Sequence, residues 1–228
     1  MTTSTAERAR ARTRERTPLT RERVIRVAVQ RADAGGLAAL TMRKLGRELE
    51  VEAMALYYHF ASKSDLVDAM VDAVFGEIEL PRPDDAWRTA MRQRAISVRE
   101  AMARHRWAIG LMESRANPGP ASLLHHDAVI GNLRASGFDM AMAAHAYSLL
   151  DSYIYGFALT KMSLPFEATD DVADVARGML EPFPVDAYPN LVAFITEHAM
   201  KPGYDLEDEF EYGLDVILDA IERTRSPV

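Results

Sequence analysis

In the stretch "VEAMALYYHFASKSDL", three aromatic rings and a histidine occupy the consecutive positions Tyr57 to Phe60, and Lys63 follows between two serines. Hydroxyls, an imidazole and an ammonium on so short a segment can meet phosphate oxygens and base edges, and Ala53 and Met54 just before them can meet thymine methyls. The commoner enzymatic patterns are missing. There is no phosphate-cradling glycine loop, no Gly-x-Ser-x-Gly, no cysteine and no evident nucleophile–base arrangement. His125, His126 and His145 do not fall at a spacing that pairs them on one helix face, so neither a metal site nor a cofactor is expected. A helical enzyme is therefore the least supported reading.

A helix from about Ala53 to Phe60 puts Leu56 and Phe60 on one side, four residues apart, and turns Ala53, Met54, Tyr57, Tyr58 and His59 outward. With no acidic residue after Glu52, that face suits the major groove of duplex DNA. Lys63 falls in the first turn of the next helix, where the positive end of the backbone dipole also favours phosphate. Arg43 and Lys44 offer phosphate contacts from the helix before. The competing reading is ordinary packing, since adjacent tyrosines are often partly buried.

The elements that would hold these groups read as helices throughout. Apolar residues recur at three and four, with no sustained period-two alternation. Thr20 caps a first helix carrying Val24, Ile25, Ala28, Val29 and Ala32, which Gly35-Gly36 ends. Thr41 caps a short second helix with Met42, Leu45 and Leu49 on one side. The third contains the aromatic run, and Ser62 with Asp65 begins a fourth. Two helices meeting steeply through a short turn need a small residue where their backbones approach, and Gly46 supplies it. Pro81 and Pro83 mark a break. Longer helices are expected at about 85–104, 107–115, 121–136, 139–162, 191–199 and 206–223. The expected organisation is a flexible basic arm (1–19), a helix-turn-helix DNA-binding domain (20–80) and a helical body (81–228), an all-α fold.

Charge supports that division. Over 228 residues the net charge is -7, yet residues 1–64 hold 13 Lys+Arg against 7 Asp+Glu, whereas residues 65–228 hold 14 against 27. A basic head on an acidic body suits a molecule that meets a polyanion at one end, although a solvated basic arm would look the same. A composition of 48% hydrophobic and 27% charged residues is that of a globular chain. The Arg-rich start lacks the apolar stretch of a secretory signal, and the absence of cysteine fits a cytoplasmic location. The apolar run from Met140 to Thr160 contains His145 and Asp151, which makes a buried helix the better explanation than a membrane span.

The segment "LTMRKLGRELEVEAMALYYHFASKSDLVDAMVDAV" resembles the DNA-binding region of the TetR family of transcriptional regulators, over about Thr20 to Val74. By that resemblance Tyr57 and Lys63 touch phosphates, Ala53, Met54, Tyr58 and His59 face the groove, and Arg43 reaches in from the second helix. One departure stands out: the usual turn glycine is Glu50. A residue with a Cβ held in the left-handed conformation costs roughly 1–2 kcal/mol.

The body is similar, more loosely, to the ligand-binding domain of the tetracycline-repressor branch, through "RHRWAIGLMESR", "LRASGFDMAMAAHAYSLLDSYIYGFAL" and "YDLEDEFEYGLDVILDAIE". The resemblance implies that the body (81–228) is a ligand-binding and dimerisation domain, and that the protein is a homodimer built on a four-helix bundle. Phe210, Leu214, Ile217, Leu218 and Ile221 form a continuous stripe for it, with burial inside one chain as the alternative. Polar groups interrupting apolar faces nominate Met102, Met112, His126, Val129, Ile130, Tyr147, Asp151 and Tyr155 for a small-molecule pocket, although each can be an ordinary core residue. Alignment through His105-Arg106 places Met112 where tetracycline repressors have a magnesium-binding His, which argues against tetracycline itself. The expected protein is a cytoplasmic, homodimeric repressor of a palindromic double-stranded operator, released by a small apolar or aromatic effector. An activator or a ligand-independent regulator is the alternative.

Overall fold

Side-chain caps set where the first helices begin. Thr20 accepts from Arg23 N, Thr41 from Lys44 N and Ser62 from Asp65 N, each satisfying a backbone N–H that the helix leaves unpaired. A computed structural model describes residues 18–164, 178, 187–201 and 203–224. The Arg-rich arm to residue 17 and most of the proline-bearing connection from Pro165 lie outside the described residues. Among the described residues there are nine α-helices and no strand: α1 Arg21–Ala39, α2 Met42–Glu48, α3 Ala53–Tyr57, α4 Lys63–Phe75, α5 Trp87–Arg104, α6 Pro120–Ala135, α7 Met140–Ser163, α8 Pro189–Phe194 and α9 Leu206–Thr224.

Helices α1 to α4 pack around Val24, Ala28, Leu45, Leu56, Phe60, Leu66 and Met70, all essentially buried. At Gly46 a Cβ would stand 2.9 Å from the Val51 carbonyl oxygen, so the α2–α3 crossing needs a residue without one. Gly36 adopts φ 68° and kinks α1, after which one further turn continues to Ala39. The third helix is shorter than expected. It ends at Tyr57, and Tyr58 and His59 form a tight turn in which the N–H groups of His59 and Phe60 both bond Leu56 O at 3.0 Å. Its Glu52 N-cap makes no side-chain hydrogen bond. Five residues cannot nucleate a helix alone, and packing of Leu56 and Phe60 holds it.

The body places α5, α6 and α7 against one another, with α9 on α7 and α4 on α6. Where a helix was expected over 107–115, the chain forms a 3-10 turn at Arg106–Ala108 followed by further turns. Gly110 interrupts the segment, and its ends are fixed by His105 and Arg115 through contacts to other helices. The region expected as one helix over 191–199 divides into α8 and a π-helical turn at Ile195–Ala199. No helix among the described residues is long and apolar enough to cross a membrane.

The α9 stripe requires a correction. Phe210, Leu214, Leu218 and Ile221 are buried within this chain, and Ile217 is partly buried. Phe210 stacks on Tyr153 at 5.5 Å and packs on Phe157 at 5.0 Å, with Arg99 over its ring. Acidic residues beside the stripe pair with α5, Glu211 with Arg92 at 2.7 Å and Asp219 with Arg88 at 2.7 Å. An apolar stripe on a helix reports that something covers it, not which chain does, and here α7 and α5 do so.

Candidate nucleic-acid interface and inner cavity

The aromatic segment divides as its spacing predicts. Leu56 and Phe60 are buried, while Met54, Tyr57 and Tyr58 are exposed by 71%, 44% and 90%. Ala53 and His59 are half-buried at the edge of the same surface, and Arg43, Lys44 and Lys63 are exposed. Lys63 Nζ rests 3.4 Å from Leu37 O. Arg21 lies over the Phe60 ring and donates to His59 O at 2.8 Å, closing the short helix from the α1 side. An exposed Tyr, Met and Tyr in one patch is unusual for a surface facing water alone. Glu50 sits in the turn before it at φ 58°, in the left-handed region that glycine would occupy without strain.

Two sets of contacts tie this head to the body. The first centres on buried His105 after α5, whose Nδ1 lies 2.8 Å from Asp33 of α1 and whose Nε2 lies 3.1 Å from Glu77 beyond α4. Trp107 Nε1 donates to the same Asp33 oxygen at 2.7 Å, and Arg104 bonds Glu77 at 3.0 Å. Burial alone would raise the Glu77 pKa, but the hydrogen bonds from His105 and Arg104 outweigh it and hold the carboxyl below the usual 4.5. Apart from His105, which anchored the alignment, none of these residues was singled out from the sequence. The second set runs along α4: Asp68 pairs with Arg115, and Asp72 accepts from Ser122 N at 2.9 Å in the first turn of α6. Gly119 is required there, because a Cβ would fall 2.2 Å from the Asp72 carboxylate carbon.

Between α4, the 112–119 segment and α6 lies a cavity of about 150 Å³, walled by Asp72, Phe75, Met112, Glu113, Ser122 and His126 among others. Of the residues nominated for a pocket, Met112 and His126 reach this wall. Tyr147 hydrogen-bonds His126 Nδ1, and Tyr155 donates to Glu113 at 2.8 Å, so both lie one contact behind it. Burial first, then the nearby carboxylates of Asp151 and Glu113, raises the pKa of both tyrosines and keeps them protonated. Met102 and Val129 are core residues away from the wall. Ile130 is a correction: it is exposed on the outer side of α6, because the neighbouring Val129 takes the inward position and residues one apart on a helix diverge.

Asp151 belongs to a buried polar cluster. Arg94, 1% exposed, brings Nη2 within 2.5 Å of Asp151 and donates from Nε to His125 Nε2 at 3.2 Å, while its guanidinium lies over the Tyr147 ring. Burial chiefly, with Arg94 and His126 adding charge repulsion, pushes His125 down to about 3, so the ring is neutral at pH 7 and its proton sits on Nδ1. Neither that Nδ1 nor Arg94 Nη1 has a hydrogen-bond partner among the described residues. Each buried donor left so costs about 1–3 kcal/mol. Sequence reasoning missed Arg94 and His125, although a signal existed. Arg94 stands three residues after Met91 and four before Val98, a charge on an otherwise apolar stripe.

Comparison with known proteins follows the same division of the chain. Residues 24–70 match the family described as "Bacterial regulatory proteins, tetR family", and residues 80–225 match "Tetracyclin repressor-like, C-terminal domain". The chain is 32% identical to the tetracycline repressor protein class A from transposon 1721 of Escherichia coli over 89% of this chain and 90% of that protein. An HTH-type transcriptional regulator of Saccharopolyspora erythraea is 34% identical over 60% of this chain, which spans 59% of that protein. Among solved structures, the ActR protein of Streptomyces coelicolor in complex with actinorhodin is similar, with a TM-score of 0.74 and 29% identity over 91% of this chain and 98% of that one.

Proposed function

The chain belongs to the TetR family of bacterial regulatory proteins, and from that premise we propose that it is a homodimeric repressor of cytoplasmic operator DNA, released by a small-molecule effector. Residues 20–80 form the DNA-reading unit and residues 81–228 the sensor and dimer unit. The observation that carries the reading is the exposed Met54–Tyr57–Tyr58 patch beside Arg43, Lys44 and Lys63, on a basic head. Ala53, Met54, Tyr58 and His59 read base edges, and Arg43, Tyr57 and Lys63 hold phosphates. A two-fold dimer sets two such patches roughly 34–36 Å apart, which fits successive major grooves and calls for a palindromic site.

The α9 stripe being occupied, the second copy packs on the open face of α7. There Ala144, Ser148, Ser152, Gly156 and Thr160 recur every fourth residue and are all exposed, flanked by Leu149 and Leu159. Tyr212 and Val216 of α9 are also exposed. Small residues at this spacing let two helices approach closely, and the apolar flanks supply burial at roughly 25 cal/mol per Å².

Effector release works through α4, which follows the groove-facing segment directly and is fastened to the cavity by Asp68 and Asp72. A ligand that binds better when α4 is displaced shifts the population toward a dimer whose two patches no longer match the groove spacing, by as much as its differential affinity. Chemistry by the protein is not part of this role. The complex of ActR with actinorhodin supports a small-molecule effector for this chain. Selection of bound fragments from random duplex DNA should return a palindrome, and a screen of aromatic metabolites against that duplex should find one that releases it. Failure of the purified dimer to prefer any duplex would overturn the reading.

A further inference from the structure

Behind the cavity wall, Arg94 and His125 hold two hydrogen-bond donors that the folded chain does not use. Arg94 Nη1 and His125 Nδ1 are fully buried and unpartnered among the described residues, and so is one acceptor beside them, Asp151 Oδ2, which a hydroxyl on the same ligand would satisfy. Buried donors are almost always satisfied, by protein, by water or by a ligand. Their charge environment is balanced, because Asp151 neutralises Arg94 at 2.5 Å and His125 carries no charge. The partition between cluster and cavity is thin. Phe75 of α4 lines the cavity and packs its ring 5.4 Å from that of His125, and His126 lines it while bonding Tyr147, over which Arg94 lies.

Resting on the effector reading above, we propose that the effector is an uncharged, carbonyl-bearing aromatic molecule whose oxygens accept hydrogen bonds from Arg94 Nη1 and His125 Nδ1. An added anion would face Asp151 and an added cation would face Arg94, each in a low-dielectric interior, so a neutral acceptor is the complementary group. To reach the donors the ligand displaces Phe75, which belongs to the helix bearing Asp68 and Asp72. Recognition and the movement of α4 are thereby one event. Arg94 and His125 are specificity-determining residues on this assignment.

The test uses the full-length dimer and four probes of similar shape, with affinity followed by calorimetry: coumarin, naphthalene, 2-naphthoate and 1-naphthylmethylammonium. Coumarin should bind at least about tenfold more tightly than naphthalene, since an unpaired donor gains a partner. His125→Met keeps a weak acceptor, the thioether sulfur, for Arg94 Nε and carries no donor. It should erase about tenfold of coumarin affinity and leave naphthalene unchanged, an asymmetry that general loosening of the core would not give. Should that variant not fold, the double variant Arg94→Met with Asp151→Leu removes the other donor and both charges together, and the same selective loss is expected. Tightest binding by either charged probe, an unchanged coumarin preference in the folded variants, or no binding by any probe overturns the assignment. The effector reading has its own readout in the same samples: a charged probe that frees the duplex would leave that reading standing while sinking this one, and a dimer that ignores duplex DNA would do the reverse to it.

Discussion

Glu50, a non-glycine residue at positive φ, carries a local backbone cost in the DNA-reading head. Its φ of 58° is fixed by the α2–α3 crossing, where Gly46 brings the two backbones together and Val51 N bonds Gly46 O at 2.9 Å. Glu50→Gly removes the clash of Cβ with its own carbonyl and should raise stability by about 1 kcal/mol, less the added freedom of the unfolded chain, as measured by urea unfolding. A loss of stability would mean that the exposed carboxylate has a compensating role. The contact residues make a separate prediction. Lys63→Ala should weaken binding to all duplexes by a similar factor and lower the salt slope by about one, whereas Tyr58→Ala or Met54→Ala should change which bases are preferred, with each altered base worth about 1–3 kcal/mol. If both kinds of variant act alike in a competition assay, the division into phosphate and base contacts is wrong.

Among the elements, α4 runs from the aromatic segment to the cavity. It starts three residues after Phe60, carries Asp68, Asp72 and Phe75 to the cavity, and ends beside Glu77 at the His105 joint. Gly119→Ala places a methyl inside the Asp72 carboxylate, which must then swing away from Ser122 N, so the α4–α6 fastening should break. The expected cost is about 1–3 kcal/mol in thermal unfolding, together with weakened operator binding in the absence of any effector. Operator affinity equal to that of the parent would show that α4 needs no anchor there. The caps and the small turn residue made the head legible in the sequence, since Thr20, Thr41, Ser62 and Gly46 each act within a few residues of themselves. The body was legible in its helices but not in its pairings. A stripe such as Phe210–Ile221 looks the same whether its own chain or a partner covers it, and the His105 joint joins residues 72 apart for Asp33 and 28 apart for Glu77. The segment after His105 read as a helix by its spacing, yet it turns instead, because contacts at both its ends outweigh its weak local preference around Gly110.

At the scale of the whole molecule, dimer formation and acid stability separate the open face from the buried one. Among the described residues no atom lies within 4 Å of where the Gly156 Cβ would be, so Gly156→Trp leaves the protomer intact but obstructs a second copy on α7. Light scattering should report a monomer with undiminished helicity, and a surviving dimer would move the interface elsewhere. Acid stability tests the interior. His125 sits at about 3 when folded against an ordinary 6.5, so below pH 6.5 the unfolded chain takes up a proton that the folded chain refuses. The stability associated with its neutral form is therefore complete above pH 6.5 and is lost as the pH falls toward 3, at up to about 1.4 kcal/mol per pH unit. Glu77 is lowered instead as an acid, so its contribution is present above 4.5 and disappears below it. The window from pH 6.5 to 5 thus isolates the histidine from that carboxylate. Across it, at fixed dimer concentration, the parent should lose about 1–2 kcal/mol more than His125→Gln in urea unfolding. Parallel curves would mean that the buried ring accepts a proton in the folded state, and with it the picture of a donor site for an uncharged acceptor beside Arg94 would fall.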